Sequence, residues 1–169
     1  AFLRMRASQC GAISQIITEM NRQLTQDVLD TGRFMTLFYL TINTANRDLR
    51  WVRAGHDPAI LYDPATDRFE ALKGQGLALG VDDQYVYREY AKSGIAPGQI
   101  LAIGTDGIWE AANSQGVIFG KKRFCDIIRR HAGMSAAGIV AAVYEELADY
   151  TAGLLPADDI TLVIIKVTD

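Results

Sequence analysis

Thiols are scarce: Cys10 and Cys125 are the only cysteines in 169 residues. They lie too far apart to read as a zinc-ligand spacing or a disulfide framework. A reducing, cytoplasmic home is the simplest expectation. No uninterrupted apolar run approaches the roughly 18 residues of a membrane span, so no membrane partner is expected of this segment. The 17 lysines and arginines are scattered apart from Lys121-Lys122-Arg123 and Arg129-Arg130, and the formal net charge is -3. No basic stripe of the kind that binds nucleic acid is present. Internal repeats and low-complexity stretches are absent too. The opening residues, Ala1-Phe2-Leu3-Arg4-Met5-Arg6, lack the small-residue cleavage site of a signal peptide. The chain starts without methionine and already inside a helical pattern, which we read as a fragment.

What is present is ordinary for a globular protein, with 49% apolar and 22% charged residues. The length suits one domain spanning residues 1–169, with a core large enough to need no disulfide or structural metal. Ile13, Ile16, Ile17, Met20, Leu24 and Val28 recur at three- and four-residue steps and predict an amphipathic helix over 12–30. Gly11 separates it from a shorter helix over 1–9, and Gly32 ends the helical region. The period then changes. Phe34–Asn43 and Leu49–Ala54 predict a β-hairpin across Thr44-Ala45-Asn46-Arg47. A second hairpin joins Ala59–Tyr62 to Arg68–Ala71 through turn formers.

Gly74-Gln75-Gly76-Leu77-Ala78-Leu79-Gly80 reads as a glycine-punctuated loop, and Tyr85–Tyr90 alternates like a strand. Pro97-Gly98 turns into the apolar strand Gln99–Ile103. A short helix over 107–112, helices near 121–132 and 135–151, the last capped by Ser135, and a strand Ile160–Val167 complete the chain. Helices first, then hairpin-joined strands, then helices and a strand predict an α+β fold with antiparallel sheet, since parallel units need a helix between successive strands.

Two segments carry candidate chemistry. Gly104-Thr105-Asp106-Gly107 follows an apolar strand, and a carboxylate beside glycine at a strand end suits a cleft rim where an ion approaches. Asp106 is then a candidate ligand for a hard cation; taken alone, it reads first as a turn residue. Ala157-Asp158-Asp159-Ile160-Thr161 precedes the last strand. Adjacent carboxylates repel unless a cation or hydrogen-bond donors offset the repulsion. Side chains alternate in direction, so Asp158 is favoured as ligand and Asp159 as its hydrogen-bonding neighbour. A solvated loop is the alternative. Oxygen donors without nearby histidine or cysteine suit Mg²⁺ or Mn²⁺.

Phe34-Met35-Thr36-Leu37-Phe38-Tyr39, Ala54-Gly55-His56-Asp57-Pro58, Leu79-Gly80, Pro97-Gly98, Thr105-Asp106-Gly107-Ile108-Trp109-Glu110 and Asp158-Asp159-Ile160-Thr161 stand in an order that resembles the PPM (type 2C) serine/threonine protein phosphatases. The branch resembled is that of SpoIIE and RsbU, and the likeness runs the length of the chain. It implies an α-β-β-α sandwich of two antiparallel sheets flanked by helices, with a two-metal Mn²⁺ or Mg²⁺ site at one end. It implies water-driven hydrolysis of phosphoserine or phosphothreonine on a regulatory protein, of the anti-sigma-factor-antagonist type. By the same resemblance Asp106 and Asp158 are the catalytic metal ligands, Asp159 is a further ligand or neighbour, and Gly107 and Glu110 lie just behind them.

The sequence departs from that family by lacking its Gly-Asp and Asp-x-x-Gly-His-Gly motifs, which belong to the family's first strands. Two ions want about ten or more oxygen ligands. The fragment is therefore expected to bind metal weakly and hydrolyse little, and a vacated sheet edge invites a homodimer or strand exchange. Residues 1–30 resemble a helical switch or dimer region; a helix that simply covers a sheet explains the same apolar stripe. Glu110 either orients a water or caps the short helix. His56, beside Asp57, reads as a structural histidine bonded to turn backbone rather than an acid-base group. Trp51 and Trp109 read as core. The functional alternative is a non-catalytic interaction module on the same fold; a third is a shared scaffold with an unrelated ligand.

Overall fold

A computed structural model describes residues 11–29, 31–154 and 157–168. The helix expected over 1–9 lies outside the described residues. Contacts gather the chain into two compact units, Ala1–Pro58 with Lys73–Ile95 and Ala59–Leu72 with Ala96–Asp169. Each contains one antiparallel sheet, so the α+β class with two such sheets is as the sequence predicts. Among the described residues no helix is long and apolar enough to cross a membrane.

The first unit is built from helix α1 (Ile13–Val28) and strands β1 (Leu37–Asn43), β2 (Asp48–Ala54) and β5 (Tyr90–Lys92), in sheet order β1-β2-β5. The β1–β2 hairpin runs from Leu37↔Ala54 to Asn43↔Asp48. Its turn is held by Asn43 and Asn46, whose side-chain oxygens accept from the Ala45 and Asp48 amides, while Arg47 takes a positive φ of 57°. Ile13 and Ile17 of α1 bury against Val52, Ala54, Leu79 and Tyr87.

That helix is less apolar than its stripe suggests. Thr18, Asn21 and Thr25 are also buried. Asn21 donates to the Asp82 carbonyl at 2.7 Å and accepts from the Gly80 amide at 3.0 Å, while Thr18 Oγ1 accepts from the Tyr87 amide at 3.1 Å. Loop backbone that would otherwise be buried without partners is satisfied by the helix. This explains a correction: Tyr85–Tyr90 does not form the expected strand. The Tyr87 amide goes to Thr18 of the helix and the Tyr85 amide to the Asp82 carbonyl, and only Tyr90–Lys92 pairs with β2. The Ile13 amide of α1, for which Ala12 offers no side-chain acceptor, donates to Glu89 at 3.0 Å. A carboxylate there also suits the positive end of the helix dipole.

The second unit carries β3 (Ala59–Asp63), β4 (Arg68–Leu72), β6 (Ile100–Gly104) and β7 (Leu162–Lys166) in the order β4-β3-β6-β7. Helices α2 (Gly120–Arg130) and α3 (Ala136–Thr151) join it. Ser135 caps α3 as expected, accepting from the Gly138 amide at 3.1 Å. Ile100, Ile108, Phe124, Ile127, Ile128, Ile139 and Val143 form a core that water does not reach. Trp51 and Trp109, each over nine-tenths buried, are core residues of their units, as their setting in the sequence predicts.

The helix expected over 107–112 is absent. Residues 106–109 make a turn, and the chain then doubles back: the Phe119 amide donates to Ala111, and Gly120 to Trp109. Asn113 explains the reversal, because its side-chain oxygen accepts from the Gln115 and Val117 amides, competing with helix. Glu110 consequently has no helix to cap.

Candidate functional site

Register alone brings the two acidic segments together. Strands β6 and β7 are antiparallel neighbours, and their ladder closes on Gly104↔Leu162. Residues leaving β6 at Thr105 must therefore meet those entering β7 at Thr161. The Thr105 amide donates to the Thr161 carbonyl at 3.0 Å, extending the ladder one step beyond the strands.

Thr105 then uses its side chain in both senses. Its hydroxyl donates to the Asp159 carbonyl at 2.9 Å and accepts from the Thr161 amide at 2.9 Å. A single half-buried oxygen thus pins the loop carrying Asp158 and Asp159 to the turn carrying Asp106. Nothing in the sequence around Thr105 by itself gives it this part. The signal for it was a hydroxyl residue between an apolar strand end and the candidate ligand, a position whose use depends on what lies opposite.

Gly107 has a role other than the one expected. Its φ is not in the positive range, so conformational freedom is not what demands glycine. A Cβ there would lie 2.6 Å from the Asp159 carbonyl oxygen and 3.2 Å from that of Asp158. Close backbone approach is the reason. Behind it, a Cβ on Gly104 would come within 2.8 Å of Ile108.

Asp106, Asp158, Asp159 and Glu110 are all exposed. Asp106 contributes its carbonyl to the turn, accepting from the Glu110 amide at 2.8 Å. The Asp158 carboxylate accepts from the Asp159 amide at 2.7 Å, folding back on its own backbone. Asp159 takes part through its backbone, its carbonyl accepting from the Thr105 hydroxyl and its amide donating to Asp158. In the other unit, His56 Nδ1 lies 2.8 Å from the Asp57 carbonyl and its ring meets Phe38 edge-on at 6.5 Å between centroids, the structural setting the sequence suggested.

The arrangement gathers Asp106, Asp158 and Asp159 on two adjoining segments, and its donors are hard oxygens of the kind Mg²⁺ and Mn²⁺ prefer. In number they fall short. Among the described residues no group of three or more His, Cys, Asp or Glu side chains is placed to hold a metal ion. Their donor type suits a divalent cation, but the described side chains do not make up a site for one.

The sequence matches the family model of Stage II sporulation protein E (SpoIIE) over residues 1–168. The chain belongs to the SpoIIE family. It is 28% identical over 153 residues to the phosphoserine phosphatase RsbU of Bacillus subtilis, covering 90% of this chain and 44% of that protein. It thus spans less than half the length of that relative. Among solved structures, the SiaA-PP2C domain of Pseudomonas aeruginosa superposes with a TM-score of 0.79 at 24% identity, covering 91% of this chain and 60% of the other. The Mn-presoaked phosphatase domain of the cell fate determinant SpoIIE from Bacillus subtilis gives 0.63 at 17% identity, over 99% and 70% of the two chains. These likenesses establish the PP2C phosphatase fold, in agreement with the architecture implied by the motifs.

Proposed function

We propose that this SpoIIE-family chain is part of a metal-dependent serine/threonine protein phosphatase. Its substrate is a phosphoserine or phosphothreonine on a cytoplasmic regulatory protein of the anti-sigma-factor-antagonist type. The observation that carries the reading is the Thr105-centred junction, which brings the Asp106 turn against the Asp158-Asp159 loop. Membership of the family and the likeness to RsbU and to PP2C phosphatase domains supply the reaction class.

When bound, Mn²⁺ or Mg²⁺ would supply an activated water and neutralise charge on the phosphoryl oxygens. The part of this chain is to present negative oxygens at one place. Asp106 and Asp158 are the proposed ligands, and Asp159 holds the loop through its backbone. Thr105 and Gly107 keep the two segments in contact. Since the described carboxylates are too few, the remaining ligands are proposed to come from other residues of the full-length protein.

The test is phosphate release from a phosphoserine peptide by the full-length protein with and without Mn²⁺. Asp106→Asn and Asp158→Asn are expected to lower the rate by about 100-fold or more, because each removes a charged oxygen from the ion's immediate surroundings. Their thermal midpoints should stay close to the parent's, since both side chains are exposed. Turnover that ignores metal, or that survives both substitutions, would overturn the reading. Phosphopeptide binding without turnover would favour the alternative, a non-catalytic interaction module.

A further inference from the structure

The first unit contains an open cleft of about 710 Å³ lined by Arg53, Pro58, Lys73, Gly74, Gln75, Arg88 and Tyr90. Three of these residues are cationic, none is a carboxylate, and the whole chain is net negative. The cations come from three places in the sequence, the end of β2 and two loop segments.

The cleft's floor is fixed. The Arg53 guanidinium donates to the His56 carbonyl and, at 2.9 Å, to that of Gly74. Both acceptors are neutral carbonyls, so these two bonds hold the charge in position without themselves cancelling it. Tyr90 stacks on Trp51 at 6.0 Å and its hydroxyl accepts from the Gln75 amide at 2.9 Å. A Cβ on Gly74 would lie 2.8 Å from the Tyr90 ring, and one on Gly76 only 1.8 Å from the Arg53 carbonyl oxygen. The Gly74–Gly76 backbone is thereby pressed onto β2. Glu89, the carboxylate next to Arg88 in sequence, is committed to Arg50 at 3.2 Å and to the Ile13 amide.

We propose that this cleft docks an acidic segment of the protein substrate, through Arg53, Lys73 and Arg88. This deepens the phosphatase reading and rests on it for the identity of the occupant. Like charge gathered in one concavity, with no carboxylate in its lining, raises the local concentration of an oppositely charged partner and steers its approach. Lys73 and Arg88 are exposed, long and adaptable, which matches the surface of a protein segment better than a small anion held in an enclosed, rigid cage.

The experiment uses the full-length protein and two phosphoserine peptides, one flanked by glutamates and one by glutamines, with p-nitrophenyl phosphate as a substrate too small to reach the cleft. In Lys73→Ala/Arg88→Ala, KM for the glutamate peptide is expected to rise about ten-fold at low salt with kcat unchanged, and the effect should shrink as salt is raised. The glutamine peptide and p-nitrophenyl phosphate should be hydrolysed as by the parent. Arg53 is left intact because it supports loop backbone. Equal kinetics of parent and variant on the glutamate peptide would overturn the proposal.

A second arm is independent of turnover. An unphosphorylated, fluorescein-labelled glutamate-rich peptide should bind the parent and lose about ten-fold in affinity for the double variant, as read by anisotropy. Lys73→Glu/Arg88→Glu should shift preference to a lysine-rich peptide. Unchanged peptide binding in both variants refutes the docking site even if the protein proves to be a phosphatase. Charge-dependent binding without any phosphate release would retain the site and refute the catalytic reading instead.

Discussion

Replacing Thr105 with valine removes one oxygen and leaves the side chain's shape almost unchanged. The loss falls on two backbone groups, the Asp159 carbonyl and the Thr161 amide, each 2.9 Å from that oxygen. A hydrogen bond typically contributes about 1 kcal/mol net, and more when its loss strands a buried partner. The junction is only half-buried, so water can replace part of what is lost, and the cost should be about 1–2 kcal/mol. For a chain of this size that corresponds to a fall of about 2–8 °C in the melting midpoint.

A consequence for metal should accompany the one for stability, because the oxygen positions the two acidic segments relative to each other. Residues that orient ligands commonly alter metal affinity by 10-fold or more, so half-saturation of phosphate release by Mn²⁺ in the full-length protein should rise about ten-fold. Thr105→Ser keeps the hydroxyl and should restore most of both losses. Urea unfolding and a Mn²⁺ titration read the two effects separately. A valine variant as stable as the parent with the same Mn²⁺ dependence would refute the argument, as would a serine variant no better than valine.

Asn21→Leu fits the apolar stripe of α1 yet strands the Gly80 amide and Asp82 carbonyl, so it should destabilise by about 2–3 kcal/mol in urea titration. An unchanged midpoint would show that the loop is held by something else. The salt bridge from Arg130 keeps the Glu146 carboxyl below its usual range. A depressed folded pKa contributes stability above the unfolded value and loses it as pH falls through the folded one. Glu146→Gln should therefore melt lower than the parent at neutral pH, and the two should converge in acid below the ordinary carboxylate range. A gap that persists undiminished there would count against the ion pair as its cause.

Periodicity and turn chemistry made most of the elements legible. Helix α1, the two hairpins, α3 with its Ser135 cap and the apolar strands β6 and β7 all depend on side-chain patterns local to the segment. The motif order likewise disclosed the family, because glycine, threonine and aspartate at strand ends carry a pattern that needs no coordinates. Failures came where a distant partner decided the outcome. Tyr85–Tyr90 alternates like a strand, yet the Tyr87 amide goes to Thr18 of α1, and Asn21 of the same helix holds the preceding loop at Gly80 and Asp82. The segment 107–112 has helical composition, but Asn113 and the return at Phe119 and Gly120 draw it into a reversal.

Asp106, Asp158 and Asp159 could be named as candidates from sequence because a carboxylate's charge and donor type belong to the residue itself. That their segments adjoin was decided by the β6–β7 register, through Thr105 and the space left by Gly107. The cleft of Arg53, Lys73 and Arg88 was hidden for the same reason: charges that look scattered along a chain become a patch only when folding brings them together. Local propensity depends on neighbours in sequence, whereas electrostatics and hydrogen bonding depend on neighbours in space.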